Sequence, residues 1–328
     1  MAGTAAAATA AAAAAAASRP AAGQLAGGGA FRDPVFLLAP ARSYSTISVA
    51  LLAGHPELYG LPETSLFLRD TVGEILAMGA GQFGGADQHR HRLMGLERAL
   101  AQLHDGSQDQ PALDRALSWI RARAGAPTTE VLDHLLRLVH PRIAVEKSPA
   151  TVESGQALDR CLHAYPGARY LHLTRHPVST QRSMLALYSQ YLFPPQMPEP
   201  ERVRRCVLAW YSCHLRIVRA LEPLPASRWL RVRGEDLIGD PMTWLPPVLT
   251  WLGLDHGEAV IGPMLATQAW DFAAWDGHIG FGGADPRFLA APRLRRTAPP
   301  DRELTDPAWP IDGELLVKII ALARHLGY

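Results

Sequence analysis

The stretch "VFLLAPARSYSTISVALLAGHPELYGLPE" covers residues 35–63. It opens with an apolar run flanked by prolines, which predicts a buried strand, and continues into a second apolar run with helical spacing. The turn between the two runs contains Arg42, Ser43, Ser45 and Thr46. A strand followed by such a turn and a helix start gathers backbone N–H groups, hydroxyls and a guanidinium, which is typical of an anion site. It also fits an ordinary strand-to-helix turn capped by Ser45 or Thr46.

The pattern of a short apolar strand followed by a helix continues along the chain. Further strands are predicted in "ELYGLPE", "RIAVEKSP", "ARYLHLTRHP" and "RWLRVRGEDL". This alternation predicts a three-layer α/β fold, with a central parallel sheet of about five strands and helices on both faces. We expect one domain over residues 31–328, with a helical insertion at about 65–140. The Ala/Gly-rich residues 1–30 are expected to be a disordered tail.

The composition of the chain limits which classes of partner are expected. The chain has 32 Lys plus Arg against 31 Asp plus Glu, and this net charge of +1 favours neither nucleic acid nor a membrane surface as partner. No apolar run is long enough to predict a membrane span, and the first 30 residues lack a basic start typical of a signal peptide. Three cysteines without metal-ligand spacing fit a reducing compartment, so a cytoplasmic location is expected. His89 and His91 lack an accompanying ligand cluster, and no metal is expected.

A second candidate anion site lies in "LHLTRHPVSTQRSM". Arg175 ends a predicted strand, Pro177 stands at the first position of the next helix, and Ser183 follows the arginine by eight residues. Ligands of parallel sheets bind at the carboxyl ends of the strands, so this arginine and the first turn are expected at the same edge. Taken alone, an arginine at a strand end more often forms a surface ion pair.

The two motifs in this order, with "VRGEDLIGDP" and "LTWLGL" near residues 232–254, resemble the sulfotransferases that use 3′-phosphoadenosine 5′-phosphosulfate (PAPS), in particular the tyrosylprotein and bacterial branches. The resemblance runs from about residue 34 to 254, and it implies the P-loop-kinase-like outline of the sulfotransferase fold. It implies transfer of a sulfuryl group from PAPS to a hydroxyl or amine, by in-line displacement at sulfur and without a metal. The residues implied for the 5′-phosphosulfate are Arg42, Ser43, Tyr44, Ser45 and Thr46. Those implied for the 3′-phosphate are Arg175 and Ser183.

The resemblance also implies three catalytic residues. Glu63, in "HPELYGLPET", matches a general base that takes the proton of the acceptor hydroxyl. Lys147, in "VEKSP", matches a lysine that stabilises charge on the sulfuryl oxygens, and Arg42 would neutralise charge at the sulfuryl group and the leaving phosphate. The alternatives are that Glu63 is a helix cap or surface acid, and that Lys147 simply pairs with Glu146 or Glu63.

A glycine-rich segment near the end of the chain adds a looser likeness. "GHIGFGGADPRF" (277–288) is similar to the family's loop that closes over the 3′-phosphate, and His278 within it is an alternate base. The acceptor is expected to be a small molecule or a carrier-bound intermediate, with a glycan or a tyrosine side chain as further candidates.

Tyr44 stands where the family's phosphate loop has glycine. If that position requires a positive φ, a tyrosine there costs of order 1–3 kcal/mol. We predict a negative φ, with the amide facing the phosphate and the ring turned outward toward the acceptor pocket or the adenine. The alternative is a catalytically decayed nucleotide-binding or interaction module. A P-loop-type small-molecule kinase is a third reading, which the missing GxxxxGK[ST] pattern disfavours.

Overall fold

A computed structural model describes residues 31–78, 88–275, 282–295 and 303–328, and the side chains from residue 92 onward in the second range. The Ala/Gly-rich tail and His278 lie outside these residues, as do the side chains of His89 and His91. Five strands form one parallel sheet in the order β2-β3-β1-β4-β5. They are β1 (Val35–Leu38), β2 (Leu58–Gly60), β3 (Ile143–Glu146), β4 (Arg169–Thr174) and β5 (Trp229–Arg233). The predicted α/β fold with a parallel sheet is confirmed.

The strands are short and apolar because the sheet is covered on both faces. Every residue of β1, β2 and β3 is buried, as expected for parallel strands between helical layers. β1 lies at the centre, with Val35 level with Val145 of β3 on one side and with Arg169 of β4 on the other. Phe36 of β1 packs edge-on against Phe67. The main hydrophobic core therefore surrounds the central strand.

The helices connect the strands and form the outer layers. Between β1 and β3 they are α1 (Ser45–Ala53), α2 (Val72–Ala77), α3 (Gln88–Asp105), α4 (Gln110–Arg121) and α5 (Thr128–Val139). Between β3 and β5 they are α6 (Ala150–Glu153), α7 (Gly155–Ala164), α8 (Pro177–Tyr191) and α9 (Glu199–Leu221). After β5 they are α10 (Gly234–Gly239), α11 (Pro241–Leu252), α12 (Glu258–Met264), α13 (Pro286–Leu289) and α14 (Gly313–His325). Single 3₁₀ turns cover Leu66–Leu68, Ala226–Arg228 and Thr267–Ala269.

The strand order determines where a ligand fits. After β1 the chain moves to β2 at one edge of the sheet, whereas after β4 it moves to β5 at the other edge. The loops that follow these neighbouring strands therefore turn away from each other and leave a crevice at the carboxyl ends of β1 and β4. Arg42 follows β1 and Arg175 follows β4 directly, so both predicted anion motifs lie at this crevice.

A second, smaller hydrophobic cluster joins the end of the chain to the rest of the domain. Ile319 and Leu322 of α14 pack with Val207 and Trp210 of α9 and with Trp309. Within the described ranges, no helix is long and apolar enough to cross a membrane. The same ranges contain no group of three or more His, Cys, Asp or Glu side chains arranged to hold a metal ion.

Candidate active site at the carboxyl ends of the strands

The turn after β1 leads into α1 without a side-chain cap. Tyr44 is the N-cap residue, and among the described residues its side chain accepts no hydrogen bond from the helix start. Ser45 and Thr46 already lie inside the helix, so the alternative in which one of them caps it is wrong. The first N–H groups of an α-helix have no partner within the helix and carry a partial positive charge. This nine-residue helix therefore presents open donors to an anion.

Tyr44 adopts the backbone conformation that glycine usually supplies. Its φ of 62° and ψ of 14° lie in the left-handed region, and Arg42 also has a positive φ, 66°. The predicted negative φ at Tyr44 is wrong. The loop keeps a left-handed position at the helix start even though the residue carries a side chain, at a cost of about 1–2 kcal/mol.

The Tyr44 ring has a defined place in the crevice. The Arg175 guanidinium lies over it, with its central carbon 4.2 Å from the ring centroid. A Cβ at Gly234, the first residue after β5, would lie 2.7 Å from a ring carbon of Tyr44, so the glycine provides the space that the ring fills. Burial raises the pKa of the Tyr44 hydroxyl, and the Arg175 cation acts in the opposite direction. The ring thus supports a residue of the second anion motif.

Two polar atoms of the crevice are buried without a partner. Ser43 Oγ and Arg175 Nε make no hydrogen bond to any residue that the structure describes. Buried polar groups are nearly always paired, and an unmade bond costs about 1–3 kcal/mol. A hydroxyl in the turn after β1 and a guanidinium N–H at the end of β4 are donors of the kind that phosphate oxygens accept from. The residues present therefore suit a phosphorylated ligand.

Arg42 joins the two predicted anion motifs. Its Nε donates to Ser183 Oγ at 3.2 Å, and its carbonyl oxygen accepts from Arg175 Nη1 at 2.6 Å. Its Nη1 also lies 2.5 Å from Oδ1 of Asp285, in an ion pair with little exposure on the arginine side. Three of the seven residues predicted to bind the phosphates, Arg42, Arg175 and Ser183, are therefore in one hydrogen-bonded group, and the carboxylate of Asp285 holds the Arg42 guanidinium.

The predicted catalytic residues form a second group beside the first. Lys147 directly follows β3, is 1% exposed, and its Nζ pairs with Oε1 of Glu63 and donates to Thr46 Oγ1 at 2.9 Å. The Asp285 amide also donates to Thr46 Oγ1, at 3.0 Å. With both acceptor positions of this hydroxyl used, its proton is left to donate. The alternative pairing of Lys147 with Glu63 is thus observed, and it links the base candidate to the phosphate loop.

A cavity of about 890 Å³ is lined by Arg42 of the first group and by Thr46 and Glu63 of the second. Lys147, Arg175 and Ser183 lie behind these residues and are not part of its lining. Its inner wall is formed by the turn after β1, by Glu63 and by Asp285. Its outer part includes Leu187, Tyr188, Tyr191 and Leu192 at the end of α8, together with the charged Arg92 and Glu153. Tyr191 and Leu192 are each about half exposed, so this part of the cavity offers aromatic and apolar surface beside the charged Arg92 and Glu153.

Buried groups behind the crevice fix its backbone. Glu235 accepts from the His176 amide at 2.8 Å and from the Tyr328 hydroxyl at 2.9 Å, and Trp210 Nε1 donates to the carbonyl of Arg175 at 2.8 Å. Burial raises the pKa of the Glu235 carboxyl, and the donated hydrogen bonds oppose that shift. The peptide that carries Arg175 is therefore held on both sides.

Sequence reasoning did not single out several residues of the site. Asp285 precedes a proline and caps α13 by accepting from the Arg287 amide, so the Asp-Pro pair was a readable helix-start signal. Gly234 gave no signal, because its role depends on the tyrosine of a distant turn. Glu146, which the sequence indicates only as a possible partner of Lys147, accepts from the amide and hydroxyl of Thr64 at 3.2 and 2.8 Å.

The fold is that of an α/β protein whose two predicted anion motifs follow the first and fourth strands of the sheet. A profile of the sulfotransferase family matches residues 34–258, which is more than half of the chain. The chain belongs to the sulfotransferase family. A search of curated protein sequences gives no match.

Solved structures of bacterial sulfotransferases share the fold. The chain is similar to the sulfotransferase domain of the Synechococcus PCC 7002 olefin synthase, with 25% identity and a TM-score of 0.68 over 93% of this chain and 98% of that one. The sulfotransferase domain from the curacin biosynthetic pathway gives 21% identity and the same TM-score, over 90% and 98%. Sulfotransferase STF9 from Mycobacterium avium gives 18% identity and a TM-score of 0.51, over 89% and 76%. The likenesses at 21% and 18% concern the fold alone.

Proposed function

We propose that this protein transfers a sulfuryl group from PAPS to a hydroxyl acceptor. The observation that carries the proposal is the joining of two anion motifs through Arg42, next to the pair formed by Lys147 and Glu63. PAPS carries phosphate groups at the 5′ and 3′ positions of one nucleoside, and two anion motifs joined in one crevice suit such a donor. The reaction breaks the bond between sulfur and the 5′-phosphate oxygen and forms a bond between sulfur and the acceptor oxygen.

The phosphate-binding roles follow from the open donors. The N–H groups at the start of α1 and the Ser43 and Thr46 hydroxyls would hold the 5′-phosphate, while Arg175 and Ser183 would hold the 3′-phosphate. Arg42 touches Ser183 and lies between the two sites, where its charge would neutralise the phosphates. Its present partner is the carboxylate of Asp285, which a bound phosphate would have to displace.

The catalytic roles follow from the ion pair. Glu63 faces the cavity with about a third of its side chain exposed, and it would take the proton of the acceptor hydroxyl as the oxygen attacks sulfur. Once protonated, its carboxyl no longer compensates the Lys147 ammonium. The lysine is then available to stabilise negative charge on the transferred group, at the moment when that charge develops.

The acceptor enters from the outer part of the cavity. Leu187, Tyr188, Tyr191 and Leu192 offer apolar and aromatic contacts there, which suit a hydroxyl compound with an apolar body, either free or attached to a carrier. The olefin synthase, from which the similar domain at 25% identity comes, is consistent with an acceptor in a biosynthetic assembly. Nucleic acid and membrane surfaces are not proposed as partners, given a net charge of +1.

The test is a screen of phenols and aliphatic alcohols that measures release of adenosine 3′,5′-bisphosphate from PAPS. Transfer should depend on the acceptor, and Glu63→Gln should lower kcat by about 10²–10⁴-fold while bisphosphate affinity changes little. Glu57→Gln, an exposed acid paired with Arg32, is the matched control and should leave kcat unchanged. A wild-type protein that binds the bisphosphate and transfers nothing across the panel would instead be the catalytically decayed binding module, which the tyrosine in the phosphate loop also allows.

A further inference from the structure

The peptide of Glu63 is fixed on both sides by hydrogen bonds. The amide of Glu63 donates to the carbonyl of Gly283 at 2.8 Å. The next two amides, of Thr64 and Ser65, donate to the Glu146 carboxylate at 3.2 Å and to Ser148 Oγ at 2.9 Å. One side of this turn is therefore tied to β3 and its continuation, and the other depends on the segment that contains Gly283.

Helix α3 touches both partners of that bond through Gly95. A Cβ at residue 95 would overlap the carbonyl oxygen of Glu63. A Cβ at Gly283, whose φ is +69°, would in turn overlap the backbone of Gly95. The three backbones are thus in contact with no side chain between them, and only glycine fits at 95 and 283. The helix acts as a surface against which the Glu63 peptide is seated.

Three residues further along α3, Arg98 holds the segment that carries Gly283. Its side chain is 0% exposed, and its guanidinium donates to the carbonyls of Gly282 at 2.7 Å, Ala274 at 2.6 Å and Phe272 at 3.2 Å. Its Nε donates to Gln108 Oε1 at 2.7 Å. A buried guanidinium without such partners would cost several kcal/mol, so the fold strongly favours the arrangement in which these bonds are made. The peptide at Gly282 is consequently held in place next to the carbonyl that accepts from Glu63.

We propose that Gly95 and Arg98 are positioning residues for the Glu63 carboxylate, and that α3 thereby belongs to the catalytic apparatus. This inference rests on the proposed function, in which Glu63 is the general base. In this proposal neither Gly95 nor Arg98 contacts PAPS or the acceptor. Arg98 acts on Gly282, and Gly95 acts directly on the Glu63 carbonyl and on Gly283. A general base must lie within hydrogen-bond reach of the proton it removes, so a shift of about 1 Å in this peptide is enough to slow proton transfer.

The expected effect is on turnover rather than on nucleotide binding. Gly95→Ala introduces the overlapping Cβ, and Arg98→Lys keeps the charge but loses the planar set of donors that reaches several carbonyls. We expect each to lower kcat by about 10–100-fold, with bisphosphate affinity within about threefold of wild type. The matched controls are Gly262→Ala, a helical glycine with open space at its Cβ, and Arg115→Lys, an exposed arginine of α4. Both controls should retain wild-type kcat.

A double-mutant cycle separates positioning from general damage. If Gly95 acts through Glu63, adding Gly95→Ala to Glu63→Gln should lower kcat little further, because the carboxylate it positions is already gone. The same non-additivity is expected for Arg98→Lys, so the cycle remains available if the alanine variant does not fold. If the kcat losses of the two single variants instead multiply in a folded double variant, the proposal is overturned. An unchanged kcat in the single variants, or a loss of bisphosphate affinity as large as the loss of kcat, would overturn it as well. A Glu63→Gln variant with wild-type turnover would instead contradict the proposed function.

Discussion

Tyr44 adopts a left-handed backbone conformation, and its ring supports the Arg175 guanidinium. Substitutions at this position can separate the two effects. The left-handed conformation costs a non-glycine residue about 1–2 kcal/mol, while glycine loses about 0.5–1 kcal/mol in chain entropy on folding. For Tyr44→Gly the relief of strain therefore exceeds the entropy loss by about 1 kcal/mol. This gain is opposed by the loss of the ring, whose contact with the Arg175 guanidinium at 4.2 Å contributes about 0.5–2 kcal/mol, with further loss from its partial burial.

We therefore expect Tyr44→Gly to lower the free energy of unfolding by about 1–3 kcal/mol. Tyr44→Ala loses the same ring and keeps a strained backbone, so it should be about 1 kcal/mol less stable than the glycine variant. Tyr44→Phe keeps both the ring and the conformation, and should stay within about 1 kcal/mol of wild type. Urea denaturation of the three variants measures these differences.

The affinity of the same proteins for the bisphosphate, measured by calorimetry, shows how far the ring at position 44 holds Arg175 in place for the nucleotide. Glycine and alanine should weaken binding several-fold and to a similar extent, whereas phenylalanine should leave it unchanged. Equal stability of the glycine and alanine variants would refute the left-handed backbone as the source of the cost. Tighter binding by Tyr44→Gly would show that the ring obstructs the phosphate loop, and the reasoning about its supporting role would fail.

Two further predictions concern charge. Asp285→Asn should tighten bisphosphate binding about tenfold, because it removes the carboxylate that competes for Arg42; weaker binding would show that Asp285 assists the nucleotide. His172 and His214 are buried 2.9 Å apart, and burial lowers the pKa of His172 well below its usual range and that of His214 to about 3. In the unfolded chain these histidines bind protons near pH 6.5, whereas in the folded chain they stay neutral to lower pH. The free energy of unfolding should therefore fall as the pH drops from about 6.5 toward 3, by up to about 1.4 kcal/mol per pH unit for each histidine. His214→Gln should reduce this slope in denaturation at pH 7, 6 and 5, and an unchanged slope would contradict the account.

The sheet was predictable because its strands are signalled locally. Apolar runs bounded by proline, glycine or charged residues mark β1, β3 and β4, and the residue that directly follows a parallel strand necessarily lies at the ligand-binding edge. Lys147 and Arg175 could be placed for that reason alone. Their meeting with Glu63 and Arg42 also follows from topology, because these strands are neighbours in the sheet.

The conformation of Tyr44 could not be predicted from its own neighbourhood. A tyrosine favours negative φ, and the space beside Gly234 and the contact with the Arg175 guanidinium compensate the left-handed backbone. These contacts join residues about 130 to 190 positions apart in the chain.

The contribution of α3 was hidden for a similar reason. Gly95 and Arg98 sit in an ordinary helical pattern, "RLMGLERALAQLHDG", in which nothing indicates that the helix meets the Glu63 peptide. Glycine within a helix is a weak signal by itself, because it is tolerated at moderate cost without a function.

The proposed function requires that one crevice bind a nucleoside with phosphates at both its 5′ and 3′ positions, which calorimetry can measure. Adenosine 3′,5′-bisphosphate should bind saturably and much more tightly than adenosine 5′-phosphate or ATP. Arg175→Ala should weaken the bisphosphate by about 10–150-fold, through loss of a charge-assisted bond worth about 1.5–3 kcal/mol, and leave adenosine 5′-phosphate nearly unaffected. Equal affinity for the bisphosphate and the 5′-phosphate, or an Arg175→Ala variant that binds like wild type, would contradict the account.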